Sequence, residues 1–179
     1  GRHNVANALA AATCALAAGA GLDAMAAGLR AVLPAPGRMQ TRRGRNGARV
    51  IDDSYNANPG SVKAALDALA NFPGRRVLVL GDMAELGNDA QALHREVGAY
   101  AAARGIDALY ACGPLSALAA AAFGTGGHAF ADKTTLTRAL IDLLAPDTTV
   151  LVKGSRSAGM EDVARQLDAG EEAGAALVK

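Results

Sequence analysis

From Arg49 onward, short apolar runs alternate with segments of helical spacing, and this alternation constrains the fold more than any other feature. Runs of strand length stand at 49–53, 77–81, 108–112, 128–131 and 149–153. Helical segments lie between and after them at 61–71, 90–104, 114–122, 133–144 and 159–167. Strands and helices taken in turn predict βαβ units, hence an α/β domain with a mostly parallel sheet flanked by helices. In such a sheet, ligands gather beyond the carboxyl ends of the strands. The loops that follow the apolar runs are therefore where functional residues are sought.

The first 34 residues differ. Residues 4–18 read as an Ala-rich helix, and 23–32 as a second helix with Asp23 as its N-cap. Leu-Pro-Ala-Pro-Gly at 33–37 breaks the pattern and reads as a linker. Two helices cannot bury enough surface to stand alone, so residues 1–34 are expected to close a larger preceding domain. The chain also opens inside an apparent motif, and its natural N-terminus is expected upstream. Residues 171–179 have little to bury and are expected to fray.

A chain of 179 residues suits one domain, or one domain and part of another. Eighteen basic residues against 17 acidic ones leave a net charge of +1, too small a field to suggest nucleic acid as a partner. Arg38, Arg42, Arg43 and Arg45 form a local basic cluster, readable as a phosphate-facing group or as a solvated loop. No unbroken apolar run approaches the ~18 residues of a membrane span. Cys14 and Cys112 lie far apart in apolar surroundings and read as buried free thiols of a reducing cytoplasm. The three histidines have no metal-ligand spacing.

Ile51 to Ser61 carries the densest polar chemistry. Asp52, Asp53, Ser54, Tyr55, Asn56 and Asn58 stand where a strand meets a helix. The run suits a ligand loop, but Asp, Asn, Ser and Pro also build ordinary capped turns. Asp53 ends the strand; Asp52 points to the opposite face and is the weaker candidate. Pro59 holds Asn58 extended, and Ser61 is a possible helix cap. A second such loop runs from Gly81 to Gly87. Gly81 permits a tight turn and Gly87 a positive φ. Asp82 and Glu85 can bind a cationic group or cap the next helix. His94, on that helix, reads as packed, exposed or supporting. A third loop, Lys153-Gly154-Ser155-Arg156, offers cations and backbone N–H groups for a carboxylate or phosphate. Parallel strands should bring all three loops to one sheet edge, with Arg38 reaching it from the linker.

These runs carry a resemblance. Asp-Ser-Tyr-Asn-Ala-Asn-Pro at 53–59 resembles the C-terminal-domain signature of the Mur ligases, in the branch that adds D-alanyl-D-alanine to the peptidoglycan precursor. Gly1-Arg2-His3-Asn4-Val5-Ala6-Asn7, Gly37-Arg38-Met39-Gln40, Gly81-Asp82-Met83-Ala84-Glu85-Leu86-Gly87 and Lys153-Gly154-Ser155-Arg156 match in the family's order. The resemblance implies a Rossmann-like C-terminal domain at 35–170, a tail at 171–179, and the end of the central ATPase domain at 1–34. That central domain carries the family's phosphate-binding loop, and no Gly-x-x-x-x-Gly-Lys-[Ser/Thr] occurs in this sequence.

The activity implied is an ATP- and Mg2+-dependent amide ligation. An acyl phosphate of UDP-N-acetylmuramoyl-tripeptide forms and is attacked by D-alanyl-D-alanine, in a cytoplasmic monomer. By the same resemblance, His3, Asn4 and Asn7 line the adenine end of the nucleotide site. On the residues alone, Asn4 as an N-cap and Asn7 as a solvent-facing residue is the favoured reading. The resemblance gives Arg38 the catalytic role at the γ-phosphate, and Asp53, Tyr55 and Asn56 the nucleotide side of the cleft. Asn58, Asp82, Glu85, Lys153, Ser155 and Arg156 fall to the peptide substrates; no metal ligand is assigned. The matching runs weigh against a folate polyglutamate ligase. A non-catalytic nucleotide- or peptide-binding module is the alternative from another class.

Overall fold

A computed structural model describes residues 2–32 and 35–170, with side chains described from Val5 onward. The expected linker residues Leu33 and Pro34 and the tail at 171–179 lie outside the described residues. The chain divides into two compact units, 1–35 and 36–179.

The first unit holds α1 (Arg2–Ala17) and α2 (Leu22–Ala31). Its many alanines suit a helix, and Gly19 at φ 87 follows the end of α1, where a left-handed residue is cheapest as glycine. Asp23 is not the N-cap. Gly21 takes that position without a side-chain bond, and Asp23 lies inside the first turn, where its charge favours the helix dipole. Val5, Leu9, Leu16, Leu22 and Leu29 are exposed. Cys14 is exposed too, against expectation. Apolar sequence neighbours do not bury a thiol when only two helices are available to cover it.

In the second unit, six strands form one sheet: β1 (Gln40–Arg43), β2 (Arg49–Asp53), β3 (Arg75–Gly81), β4 (Ala108–Cys112), β5 (Gly127–Phe130) and β6 (Thr148–Lys153). Their order is β1-β2-β6-β3-β4-β5. All neighbours are parallel except the β1–β2 pair. The helices are α3 (Pro59–Leu69), α4 (Ala90–Ala103), α5 (Ser116–Phe123), α6 (Lys133–Ile141) and α7 (Glu161–Leu167). The expected strands and helices are present, with ends shifted by a few residues.

Strand residues alternate between two cores, as the pleat requires. Ile51, Leu78, Leu80, Leu109 and Leu151 pack with Val62, Leu66 and Leu69 of α3, Val97 of α4 and Phe123 of α5. Val50, Val77, Val79, Val150 and Val152 pack on the other face with Leu136 and Leu140 of α6 and Val163 and Leu167 of α7. Burial on both faces explains why these strands read as continuous apolar runs.

Strand β1 was not expected; its residues read as a basic loop. An edge strand has one neighbour and tolerates polar side chains on both faces. Arg42 meets Asp52 and Asp168, each at 3.4 Å. The outer edge is partly closed where Ala169 N–H donates to Arg43 O at 3.0 Å. The hairpin turns through Asn46 (φ 55) and Gly47 (φ 79). Asn-Gly is a strong short hairpin signal, and it was legible in the sequence.

Candidate functional site

The parallel strands end together. Asp53 of β2 pairs in register with Lys153 of β6, Lys153 with Leu80 of β3, and Gly81 of β3 with Cys112 of β4. Loops 53–58, 81–87 and 153–156 therefore leave the same edge. Antiparallel pairing of Gln40 with Asp52 brings the start of β1, and Arg38 with it, to that edge. The helix after β2 packs on one face of the sheet, whereas the helix after its neighbour β6 packs on the other. Divergent connections from adjacent strands leave the crevice in which ligands of such folds bind.

Arg38 stands on a held segment at this crevice. Tyr55 N–H donates to Gly37 O at 2.9 Å, and Met39 N–H donates to Asp53 Oδ1 at 3.0 Å. Gly37 (φ 68) and Met39 (φ 49) are both left-handed. The exposed Arg38 guanidinium lies 4.3 Å from the centre of the half-exposed Tyr55 ring. Among the described residues Arg38 has no ion-pair partner, so its charge remains available to an anion. Gly37 and Met39 were not among the expected site residues. The signal was Pro36-Gly37 directly before an arginine, but nothing local marks the Met39 amide as a donor to a carboxylate fourteen residues away.

Asp53 faces inward. Its Oδ2 accepts from Lys153 Nζ at 2.5 Å. Lys153 is only 1% exposed and also donates to Asp53 O and Asn56 O, each at 3.3 Å. The ammonium expected to meet substrate thus braces the β2–α3 loop. Asp52, at 3% exposure, accepts from Ser54 Oγ at 2.6 Å. Asn56 Oδ1 accepts from Ala57 N–H at 2.8 Å. Asn58, rather than Ser61, is the N-cap of α3. Its Oδ1 accepts from Ser61 N–H at 2.9 Å and Ser61 Oγ accepts from Asn58 N–H at 3.1 Å, a capping box.

The loop after β3 is tied to its neighbours. Asp82 Oδ1 accepts from Leu115 N–H at 3.1 Å and Ser116 N–H at 2.7 Å, so it caps the start of α5 rather than the next helix in sequence. Asp82 O accepts from Ser155 N–H at 2.9 Å. That amide, expected to contribute to an anion nest, is spent on joining two loops. Gly81 serves close packing instead of a turn: a Cβ there would stand 2.6 Å from Met160 Cγ. Gly87 has the expected positive φ, 58. Glu85, exposed and at φ 61, presents its carboxylate to solvent. Fully buried His94 accepts Met83 N–H on Nε2 at 3.0 Å, while Nδ1 lies 2.6 Å from Ala90 O. Those partners fix the neutral tautomer with the proton on Nδ1.

Ser155 is buried, with its Oγ 3.1 Å from Ser157 Oγ. Arg156 extends outward and pairs with Glu161 at 3.1 Å. Asn7 is exposed on α1, in the other unit, and the side chains of His3 and Asn4 lie outside the described residues. Among the described residues no group of three or more His, Cys, Asp or Glu is gathered to hold a metal. No described helix is long and apolar enough to cross a membrane.

A mostly parallel sheet with divergent connections, and at its carboxyl edge an arginine without an ion-pair partner among the described residues, define a doubly wound α/β domain. The profile of the family described as "Mur ligase, glutamate ligase domain" matches residues 37–156, and the chain belongs to that family. It is 51% identical over 169 residues to the UDP-N-acetylmuramoyl-tripeptide–D-alanyl-D-alanine ligase of Escherichia coli (strain K12), a match covering 93% of this chain and 37% of that protein. Against the ligase of the same description from Haemophilus influenzae the identity is 40%, covering 91% and 36%. A crystal structure of MurF from Acinetobacter baumannii superposes with a TM-score of 0.85 at 34% identity, covering 93% of this chain and 38% of that one. MurF ligase from Thermotoga maritima, solved in complex with ADP, gives 0.73 at 27% identity, covering 87% and 35%. The chain therefore spans a little over a third of the length of these relatives.

Proposed function

We propose that the chain supplies the C-terminal part of an ATP-dependent ligase joining D-alanyl-D-alanine to UDP-N-acetylmuramoyl-tripeptide for peptidoglycan. The supporting observation is Arg38, an exposed guanidinium without an ion-pair partner among the described residues, at the edge on which all three loops converge. The descriptions of the similar ligases point to the same reaction. In this reading residues 1–34 close the central ATPase domain and 35–170 form the C-terminal domain of a cytoplasmic monomer. His3, Asn4 and Asn7 serve its nucleotide.

A carboxylate is a poor electrophile because its leaving group is oxide. ATP supplies a phosphoryl group, and the resulting acyl phosphate loses phosphate when the dipeptide amine attacks. Arg38 offsets charge on the transferring phosphoryl through its planar fork. Glu85 offers its carboxylate to the dipeptide ammonium, and the exposed Tyr55, Asn56 and Asn58 line the approach. Arg156, paired with Glu161, offers a cation to a substrate carboxylate. The described residues do not gather ligands for magnesium.

The test is phosphate release with ATP, magnesium, UDP-linked tripeptide and D-alanyl-D-alanine. This chain alone should not turn over. A chimera placing it in the C-terminal third of the Escherichia coli ligase should. In that chimera Arg38→Ala should lower kcat on the order of 10²–10³-fold, as loss of a transition-state donor does. Arg38→Lys should recover only part, since an ammonium cannot make the bidentate contact. Unchanged kcat in both variants would remove Arg38 from the chemistry.

A further inference from the structure

The two atoms that flank Arg38 along the backbone are both held from the β2–α3 loop. Gly37 O accepts from Tyr55 N–H at 2.9 Å, and Met39 N–H donates to Asp53 Oδ1 at 3.0 Å. Met39 keeps a left-handed backbone, φ 49, that a residue with a side chain seldom adopts. Such a conformation persists only where the surroundings over-determine it. Asp53 supplies that determination and is itself fixed, because its other oxygen receives the ammonium of buried Lys153. Lys153 also donates to two carbonyls of the same loop. Beyond the backbone, the guanidinium rests on the Tyr55 ring at 4.3 Å.

We propose that Lys153, Asp53 and Tyr55 are positioning residues for Arg38. Lys153 and Asp53 lock the backbone on which it stands, and Tyr55 holds its guanidinium by a cation–π contact. Each Asp53 oxygen already accepts a hydrogen bond, and the ammonium of Lys153 is turned away from solvent. Both act on the anion through Arg38. An arginine side chain has many rotors, and ordering it beforehand removes that entropy cost from the binding step. The proposal rests on the ligase reading only for what Arg38 does, not for how it is held.

Two measurements test it. In the 179-residue chain, 15N relaxation of the Arg38 Nε–H group should show an ordered side chain. Tyr55→Leu should lower that order, and Tyr55→Phe, which keeps a ring, should retain it. Tyr55 is exposed, so these variants read the contact without threatening the core. Asp53→Ala should loosen Arg38 and shift the Met39 amide resonance. Unchanged Arg38 order in Tyr55→Leu and Asp53→Ala would overturn the proposal.

In the Escherichia coli chimera, Tyr55→Leu should lower kcat roughly 2- to 30-fold, the span of a cation–π contact. KM for the dipeptide should hold, and Tyr55→Phe should recover most of the loss. A change in KM alone would assign Tyr55 to the substrate and overturn its positioning role. Loss of Arg38 order with no kcat effect of Arg38→Ala would leave positioning intact and sink the ligase role of Arg38. A kcat effect of Arg38→Ala without loss of order in the other variants would do the reverse.

Discussion

The Nε2 atom of His94 accepts the backbone N–H of Met83 at 3.0 Å, pinning the loop after β3 onto helix α4. Both residues are buried. Removing the acceptor strands an amide away from water, at a cost of about 1–3 kcal/mol. His94→Leu should therefore lower urea-unfolding stability by about that amount. His94→Gln can restore an acceptor near the Nε2 position and should lose less. Equal losses in the two variants would mean that packing, not the Met83 bond, is what His94 provides.

The Lys153–Asp53 pair predicts an asymmetric response. Breaking a buried pair by removing one partner costs roughly 3–5 kcal/mol, because the other charge stays behind. Asp53 keeps 17% side-chain exposure, which places Lys153→Met near the lower end of that range. Adding Asp53→Leu should recover part of the loss, since no charge is then stranded. A double-mutant cycle by chemical denaturation reads the coupling. Additive losses would show that the two residues act independently.

Gly98 of α4 faces Ala119 of α5. A Cβ at Gly98 would stand 2.0 Å from the Ala119 carbonyl oxygen. In an open helix, Gly→Ala gains about 1 kcal/mol. Here the clash is with backbone, so the helices must separate, and overpacking of this kind costs about 1–3 kcal/mol. The net effect of Gly98→Ala should be destabilising by thermal or urea unfolding. A stabilised variant would show that the helices part easily.

The two thiols should react at different rates. Cys14 is exposed. Burial pushes the Cys112 thiol above its ordinary value, only partly opposed by the nearby Lys133 ammonium. Thiolate is the reactive form, so near neutral pH a disulfide reagent should give one fast phase and one slow phase. Cys14→Ser should abolish the fast one. Persistence of the fast phase in that variant would place the reactive thiolate at Cys112.

Much of the site could be located from the sequence because strand ends are local signals. The apolar run ending at Asp53 and the runs ending near Gly81 and Lys153 marked the loops, and parallel pairing then placed them together. Tasks within those loops were less legible. Asp82 was expected to meet a cation or cap the following helix, but it caps α5, more than thirty residues on. Ser155 N–H was expected to turn toward an anion, but it meets Asp82 O. Each partner lies in a segment that follows another strand, and sequence spacing carries no information about such a contact.

What the sequence determined by itself is the alternation of strand and helix, the parallel sheet it implies, and the family to which the ordered motifs belong. Those follow from periodicity and local turn chemistry, which depend on neighbours along the chain. The edge strand β1 had a turn signal in Asn46-Gly47 but no apolar one, and only the tertiary structure decided its pairing and the inward turn of Lys153. An ammonium at the end of an apolar run reads as a group for solvent or substrate. It can be buried only because Asp53, a hundred residues earlier, is brought beside it by the β2–β6 register and compensates its charge.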